Sequence, residues 1–423
     1  MDTAEKKKGN RLAASGELGR FMDDYYHQLD RAASSGKRKI AWCTSVGPAE
    51  ILRALGFLVY FPETHSAMLG ASRMATDLIP RASAVGFSPE ICSYLTADIG
   101  AHLAEVSPLE KAYGDIKGPP RPDVLVFNTN QCRDVQDWFQ WYGQRYNVPV
   151  VGIHTYVGVA EVTDAYIPSI VTQLEQLIAS LEPIADKKLD FDELKRVTAL
   201  SKQCSDLWAR VLDTAAARPS PLTFFDAATL MGPAVVGRGT EAANACYQLL
   251  LAELEQRIAD KTGAVDNERF RLYWDGMPVW GRLKAHSQLF GRLNASVLAS
   301  TYCSSWIFSA LDPEKPLESM ARAYTELFIV RADSYKERYI KEKLAFFGID
   351  GIVFHEAKTC PNNSNSRYGM PRRIEEATRI PCLVINGDLN DLRLVSDEQT
   401  RTNVEAFIEQ LQENSAGTTN NGS

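Results

Sequence analysis

Gly351-Ile-Val-Phe-His-Glu-Ala-Lys-Thr-Cys360-Pro-Asn-Asn-Ser364 is the stretch on which the fold turns. A short apolar run between a glycine and a polar loop is the pattern of a strand buried on both faces of a parallel sheet. The loop at its carboxyl end delivers a cysteine, and open α/β sheets build their sites from such loops. Three similar runs lie nearby: Phe270-Arg-Leu-Tyr-Trp274, Ser296-Val-Leu-Ala-Ser300 and Cys382-Leu-Val-Ile385.

The same rhythm runs through the first part of the chain, in Ile40-Ala-Trp-Cys43, Leu58-Val-Tyr-Phe61, Val124-Leu-Val-Phe127 and Val148-Pro-Val-Val-Gly-Ile153. Helix-length intervals separate these runs, as in βαβ units. Pro48-Ala-Glu-Ile-Leu-Arg-Ala-Leu55 reads as a one-face helix stopped by Gly56. Between the two sets the pattern becomes helical. Tyr166, Ile170, Leu174, Leu177 and Leu181 form one apolar stripe, and Leu194, Val197, Leu200, Leu207, Val211 and Leu212 form a second. The expected fold is therefore α/β, with two lobes, each a roughly four-stranded parallel sheet flanked by helices, plus a helical insert domain. The boundaries read as an N-terminal helical segment over 1–36, a first lobe over 37–156, the insert over 157–265, a second lobe over 266–412 and a disordered tail over 413–423.

At 423 residues the chain exceeds one ordinary core. A net charge of -7, with only Lys6-Lys7-Lys8 and Lys37-Arg38-Lys39 locally basic, argues against a nucleic-acid surface, which needs clustered Lys and Arg. No apolar run reaches the roughly 18 residues of a membrane span, and the first residues lack a signal peptide's apolar segment. The expectation is a protein of the cytoplasm that binds neither nucleic acid nor membrane.

Eight cysteines stand at 43, 92, 132, 204, 246, 303, 360 and 382. No CxxC or CxxxC spacing occurs, so a metal site must gather ligands from distant loops. Cys132, in Asn128-Thr-Asn-Gln-Cys-Arg133, and Cys360 each follow the third expected strand of a lobe. Cys92 lies just past Ser88-Pro89, a helix-start signal, where the helix dipole favours a thiolate. Three soft sulfurs without neighbouring histidines favour an iron–sulfur cluster over zinc. The alternative for each is a small buried apolar residue. Cys204, Cys246 and Cys382 read as core, as do Cys43 and Cys303, for which a place behind a site is the alternative. His65, His154 and His355 follow strands and are candidates to line a cleft, with Glu356 beside them. There is no GxSxG elbow, Walker loop or HExxH. Gly237-Arg-Gly-Thr-Glu-Ala242 lacks the βαβ setting of a dinucleotide fingerprint and reads as a helix-start turn.

Taken together, Trp42-Cys-Thr-Ser-Val-Gly-Pro-Ala-Glu50, Tyr60-Phe-Pro-Glu-Thr-His65, Cys92-Ser-Tyr94, the Cys132 loop, Arg218-Pro-Ser-Pro221, Asp275-Gly-Met-Pro-Val-Trp280, Thr359-Cys360 and Asn386-Gly-Asp-Leu-Asn-Asp-Leu-Arg393 resemble the 2-hydroxyacyl-CoA dehydratase and benzoyl-CoA reductase family. The resemblance covers nearly the whole chain. It implies a heterodimer with a homologous second cluster-binding subunit, and a [4Fe-4S] cluster held here by Cys92, Cys132 and Cys360. It implies electrons delivered singly by a separate ATP-hydrolysing iron–sulfur activator fed by ferredoxin, so that ATP is not bound by this chain. Ser45 and Glu63 match the family's active-site serine and glutamate. As plain structure, they would be a helix cap and a solvated carboxylate.

The implied substrate is an acyl-CoA thioester that accepts one electron to give a ketyl-type radical anion. Cys92-Ser-Tyr-Leu-Thr-Ala-Asp-Ile-Gly100 and the helix from about Ala242 to Arg257 resemble the benzoyl-CoA reductase branch, which dearomatises a ring, and that branch is the leading expectation. Pro62-Glu-Thr-His65 also suits the dehydratases, which form an enoyl-CoA and are the alternative. A third alternative is a non-catalytic electron-transfer or scaffold subunit. Trp280, Tyr302 and Trp306 are candidates for the acyl pocket.

Overall fold

The computed structural model describes residues 12–420. The apolar runs become strands because a parallel strand covered on both faces needs no polar side. In the first sheet, β1 (Ile40–Cys43), β2 (Leu58–Tyr60) and β3 (Val124–Asn128) are buried at every position, while β4 (Val150–Ile153) is only half-buried at the edge. They pair in parallel in the order β2-β1-β3-β4, with Trp42 set between Tyr60 and Leu125. The second sheet holds β5 (Phe270–Asp275), β6 (Ala295–Ser300), β7 (Gly351–Ala357) and β8 (Cys382–Gly387), parallel in the order β6-β5-β7-β8. The same strand order thus occurs twice, as the duplicated rhythm of the sequence implies. In each sheet the chain reverses direction beside its first strand, opening a crevice at the carboxyl ends of β1 and β3, and again of β5 and β7.

Element ends differ from expectation where local chemistry intervenes. β2 stops at Tyr60 because Pro62 opens helix Pro62–Ala71, a position where its missing N–H costs nothing. β7 runs on to Ala357, three residues past the expected end, paired residue by residue with β8. Helix Ala49–Ala54 buries Glu50 along with its apolar residues, so it is covered all round rather than on one face.

Between β4 and β5 the described residues form helices apart from a single bridge between Val159 and Arg331, the longest helices being Ile167–Ala185, Phe191–Asp213 and Glu241–Ala259. Ile170, Leu174, Leu177 and Leu181 of the first stripe are buried. These helices share one apolar core with both sheets, reaching from Leu12 to Leu411. Arg271, buried in β5, ties them to the second sheet by donating to the carbonyls of Ala215 and Ala217, and it donates also to Phe347 at the end of helix Asp333–Phe347. The N-terminal helix is Ser15–Ser35, and residues 1–11 of the expected segment lie outside the described residues. The last helix runs Asp397–Asn420, into the stretch expected as a tail, and 421–423 again lie outside. No described helix is long and apolar enough to cross a membrane.

Candidate functional site

The carboxyl ends of the two sheets face a common cavity of about 330 Å³. Every strand except β4 delivers a lining residue to it: Ser45 after β1, Glu63 after β2, Cys132 after β3, Met277 after β5, Tyr302 after β6, Cys360 after β7 and Leu389 after β8. Cys92 joins them from the N-cap of helix Ser93–Ala104, so the helix starts at the thiol rather than at Ser88. Cys92, Cys132 and Cys360, far apart in sequence, therefore share one wall, where each is half-buried. Among the described residues, no three His, Cys, Asp or Glu side chains converge tightly enough for a single metal ion.

Hydrogen bonds tie the three cysteine loops to one another in pairs. The Cys92 amide donates to the Asp134 carboxylate at 3.1 Å, binding it to the Cys132 loop. Asn362 donates to the Gln131 carbonyl at 3.1 Å, joining the Cys360 and Cys132 loops. The Ser93 amide donates to the Thr359 hydroxyl at 3.1 Å, joining the Cys92 and Cys360 loops. Burial pushes all three thiols above the ordinary range, and each also feels a neighbour. Cys92 is raised further by Cys132, Cys132 by Asp134 and Cys360, and Cys360 by Cys92. As donors, they form a set of three soft sulfurs with no imidazole, the chemistry of iron–sulfur ligation.

Ser45 and Glu63 meet across the first two crossovers. The Ser45 amide and hydroxyl donate to the Glu63 carboxylate, and the Gln131 side chain adds another hydrogen bond. Burial nevertheless wins, pushing the Glu63 carboxyl up to about 6. Neither bland alternative holds: Glu63 is buried, and the helix Ala49–Ala54 makes no side-chain cap bond. The Ser45 turn is braced from behind by Arg238, which donates to the carbonyls of Ser45 and Gly47, both at 2.6 Å, and to Glu50 at 3.1 Å. The other side of the cavity is aromatic. Trp280 donates to the Tyr94 hydroxyl. Tyr302 stands edge-on to Trp280 at 6.0 Å and to Trp306 at 5.3 Å between centroids.

Four other expected lining residues do not reach this cavity. His65 sits inside helix Pro62–Ala71, held between Asp98 at 2.6 Å and Ser107 at 2.9 Å. His355 and Glu356 belong to the extended β7: the His355 ring is buried on the Met277 carbonyl, and Glu356 pairs with Lys358. His154 follows the one strand that ends away from the cavity, and it is exposed beside the ring of Phe127. Arg238 and Glu50 were missed by sequence reasoning. The available signal was a carboxylate inside an apolar helix, which calls for a buried cation.

Two like parallel sheets that close a thiol-bearing, largely apolar cavity define a two-lobed α/β enzyme. The sequence model of the 2-hydroxyglutaryl-CoA dehydratase D-component family matches residues 44–411, and the chain belongs to that family. It is 28% identical over 397 residues to the alpha subunit of (R)-2-hydroxyisocaproyl-CoA dehydratase of Clostridioides difficile, covering 93% of this chain and 95% of the relative. It is 27% identical over 411 residues to one of the subunits of benzoyl-CoA reductase of Thauera aromatica, covering 93% of each. To the alpha subunit of (R)-2-hydroxyglutaryl-CoA dehydratase of Acidaminococcus fermentans it is 23% identical over 464 residues, covering 93% of this chain and 96% of the relative.

Proposed function

We propose that this chain is the subunit of a heteromeric acyl-CoA enzyme that holds a [4Fe-4S] cluster through Cys92, Cys132 and Cys360. The observation that carries the reading is the convergence of three thiols from three separate loops on one cavity wall beside Ser45 and Glu63. A cluster bound there would supply single low-potential electrons to an acyl-CoA thioester. The chain's own residues would do the rest. The Ser45 hydroxyl, donating to Glu63 in the resting site, is placed to donate to an oxygen that gains charge. Glu63, with its carboxyl near 6, can hold a proton at neutral pH or release it. The aromatic and apolar walls keep water from the reacting atoms.

Dehydration of a 2-hydroxyacyl-CoA to an enoyl-CoA suits this pair best, because a departing hydroxyl needs a proton and a carboxyl poised near neutrality can give one. Reduction of an aryl-CoA ring is the second reading, favoured by the wall of Tyr94, Trp280, Tyr302 and Trp306. In both, a related second subunit completes the enzyme, and a separate activator, reduced by ferredoxin, hydrolyses ATP. The enzyme would work in the cytoplasm.

The test is anaerobic purification with the second subunit, iron determination, and turnover with activator and ATP on 2-hydroxyacyl-CoA and benzoyl-CoA thioesters. An enoyl-CoA product supports the first reading and a cyclic diene the second. Turnover that survives loss of iron in Cys360→Ala would overturn both and leave a scaffold subunit.

A further inference from the structure

Asp388 follows β8 directly and is fully buried. One carboxylate oxygen accepts from the Ser93 hydroxyl at 2.5 Å and from the amides of Asn390 and Asp391, both at 3.0 Å. The other accepts from the Thr359 hydroxyl at 2.6 Å and amide at 2.9 Å. The Thr359 hydroxyl in turn accepts from the Ser93 amide. The result is a closed ring of Ser93, Asp388 and Thr359. Ser93 is the covalent neighbour of Cys92, and Thr359 that of Cys360.

All five groups facing Asp388 are donors, so the position requires an acceptor on both sides. A carboxylate offers that, and its charge strengthens each bond. An asparagine could satisfy only one side, because its NH2 would face the Thr359 amide or the Ser93 side of the ring. The bonds to Asn390 and Asp391 fix the carboxylate to its own loop before anything binds in the cavity. We propose that Asp388 is a positioning residue that sets the spacing between Cys92 and Cys360, joining thiols from the two halves of the chain. Its relevance to catalysis rests on the proposed function; the spacing itself does not.

The test uses the full chain with its second subunit and three substitutions: Asp388→Asn, Thr359→Val, which removes the ring hydroxyl at nearly constant volume, and Thr359→Ser, which keeps it. In the metal-free protein, a graded series of thiol-bridging reagents reports the span that links Cys92 to Cys360. Wild type and Thr359→Ser should prefer one narrow span, whereas Asp388→Asn and Thr359→Val should accept a broad range. After reconstitution with ferrous iron and sulfide, the latter two should retain iron against a chelator about 10- to 100-fold less well, with an altered spectrum, and Thr359→Ser should match wild type. An unchanged span preference in Asp388→Asn, or Thr359→Ser behaving as Thr359→Val, overturns the proposal. Failure of wild type to take up iron overturns the proposed function alone, since the span measurement still decides the role of Asp388.

Discussion

The guanidinium of Arg238 donates a 2.6 Å hydrogen bond to the carbonyl oxygen of Ser45, joining residues 193 positions apart. The same group neutralises Glu50, which also accepts from Ser201 at 2.8 Å and Tyr324 at 3.1 Å. Removing one member of a buried ion pair strands the other charge. Arg238→Met should therefore destabilise the chain by about 3–5 kcal/mol in denaturant unfolding. The double variant with Glu50→Gln should recover part of that loss while leaving the Ser45 turn unbraced. Full recovery of turnover in the double variant would count against a role for Arg238 in holding the turn.

Glu63 makes stability depend on pH. Burial raises its carboxyl from 4.5 to about 6, so the protonated form favours the fold. That contribution is complete below about pH 4.5 and is lost as pH rises through about 6. Relative to wild type, Glu63→Gln should gain roughly 2 kcal/mol between buffer below about pH 4.5 and mildly alkaline buffer. Paired denaturant curves at several pH values read this difference directly, and a flat difference would contradict it.

Gly70 allows the loop after β8 to close on the helix that carries Glu63. A Cβ there would lie 2.0 Å from the Asn390 side-chain oxygen and 2.9 Å from Cβ of Trp280. Asn390 cannot simply swing away, because it is buried and donates to the Ser66 carbonyl at 2.9 Å. Gly70→Ala should cost about 1–3 kcal/mol despite alanine's better helix propensity. Asn390→Ala in the same chain should reduce that cost, a coupling that a double-mutant cycle measures.

The aromatic wall predicts a preference among acyl groups. Tyr302 lines the cavity edge-on to both Trp280 and Trp306, so replacing it by leucine removes a ring on which an aryl group would pack, a contact worth about 1 kcal/mol. The ratio of kcat/KM for aryl-CoA over branched alkyl-CoA substrates should fall by roughly five- to tenfold. An unchanged ratio would place the acyl group elsewhere in the cavity.

The parallel strands were legible because burial on both faces leaves an apolar run in the sequence, as at Ile40–Cys43. The cysteines stood out for a related reason: a thiol in a polar loop after a strand is out of place in a core. His355 shows the limit of that rule. With β7 ended at Phe354, His355 and Glu356 look like loop residues, but pairing with β8 carries the strand through both. Strand length is set by the partner strand, which no local pattern reveals. Arg238 and Asp388 were hidden likewise, since each acts through residues far away in sequence. The resemblance reached Ser45 and Glu63 by motif; their contact with each other came from the fold.

That Cys92, Cys132 and Cys360 come from three distant segments has a consequence for the unfolded chain. A group bonded to all three would close two long loops at once, one within the first half and one spanning the middle of the chain. Closing loops of that size removes conformational freedom from the denatured ensemble by the same physics as a pair of disulfides. The site would then be a staple as well as a reaction centre. Its loss, to oxygen or a chelator, would loosen the two halves together.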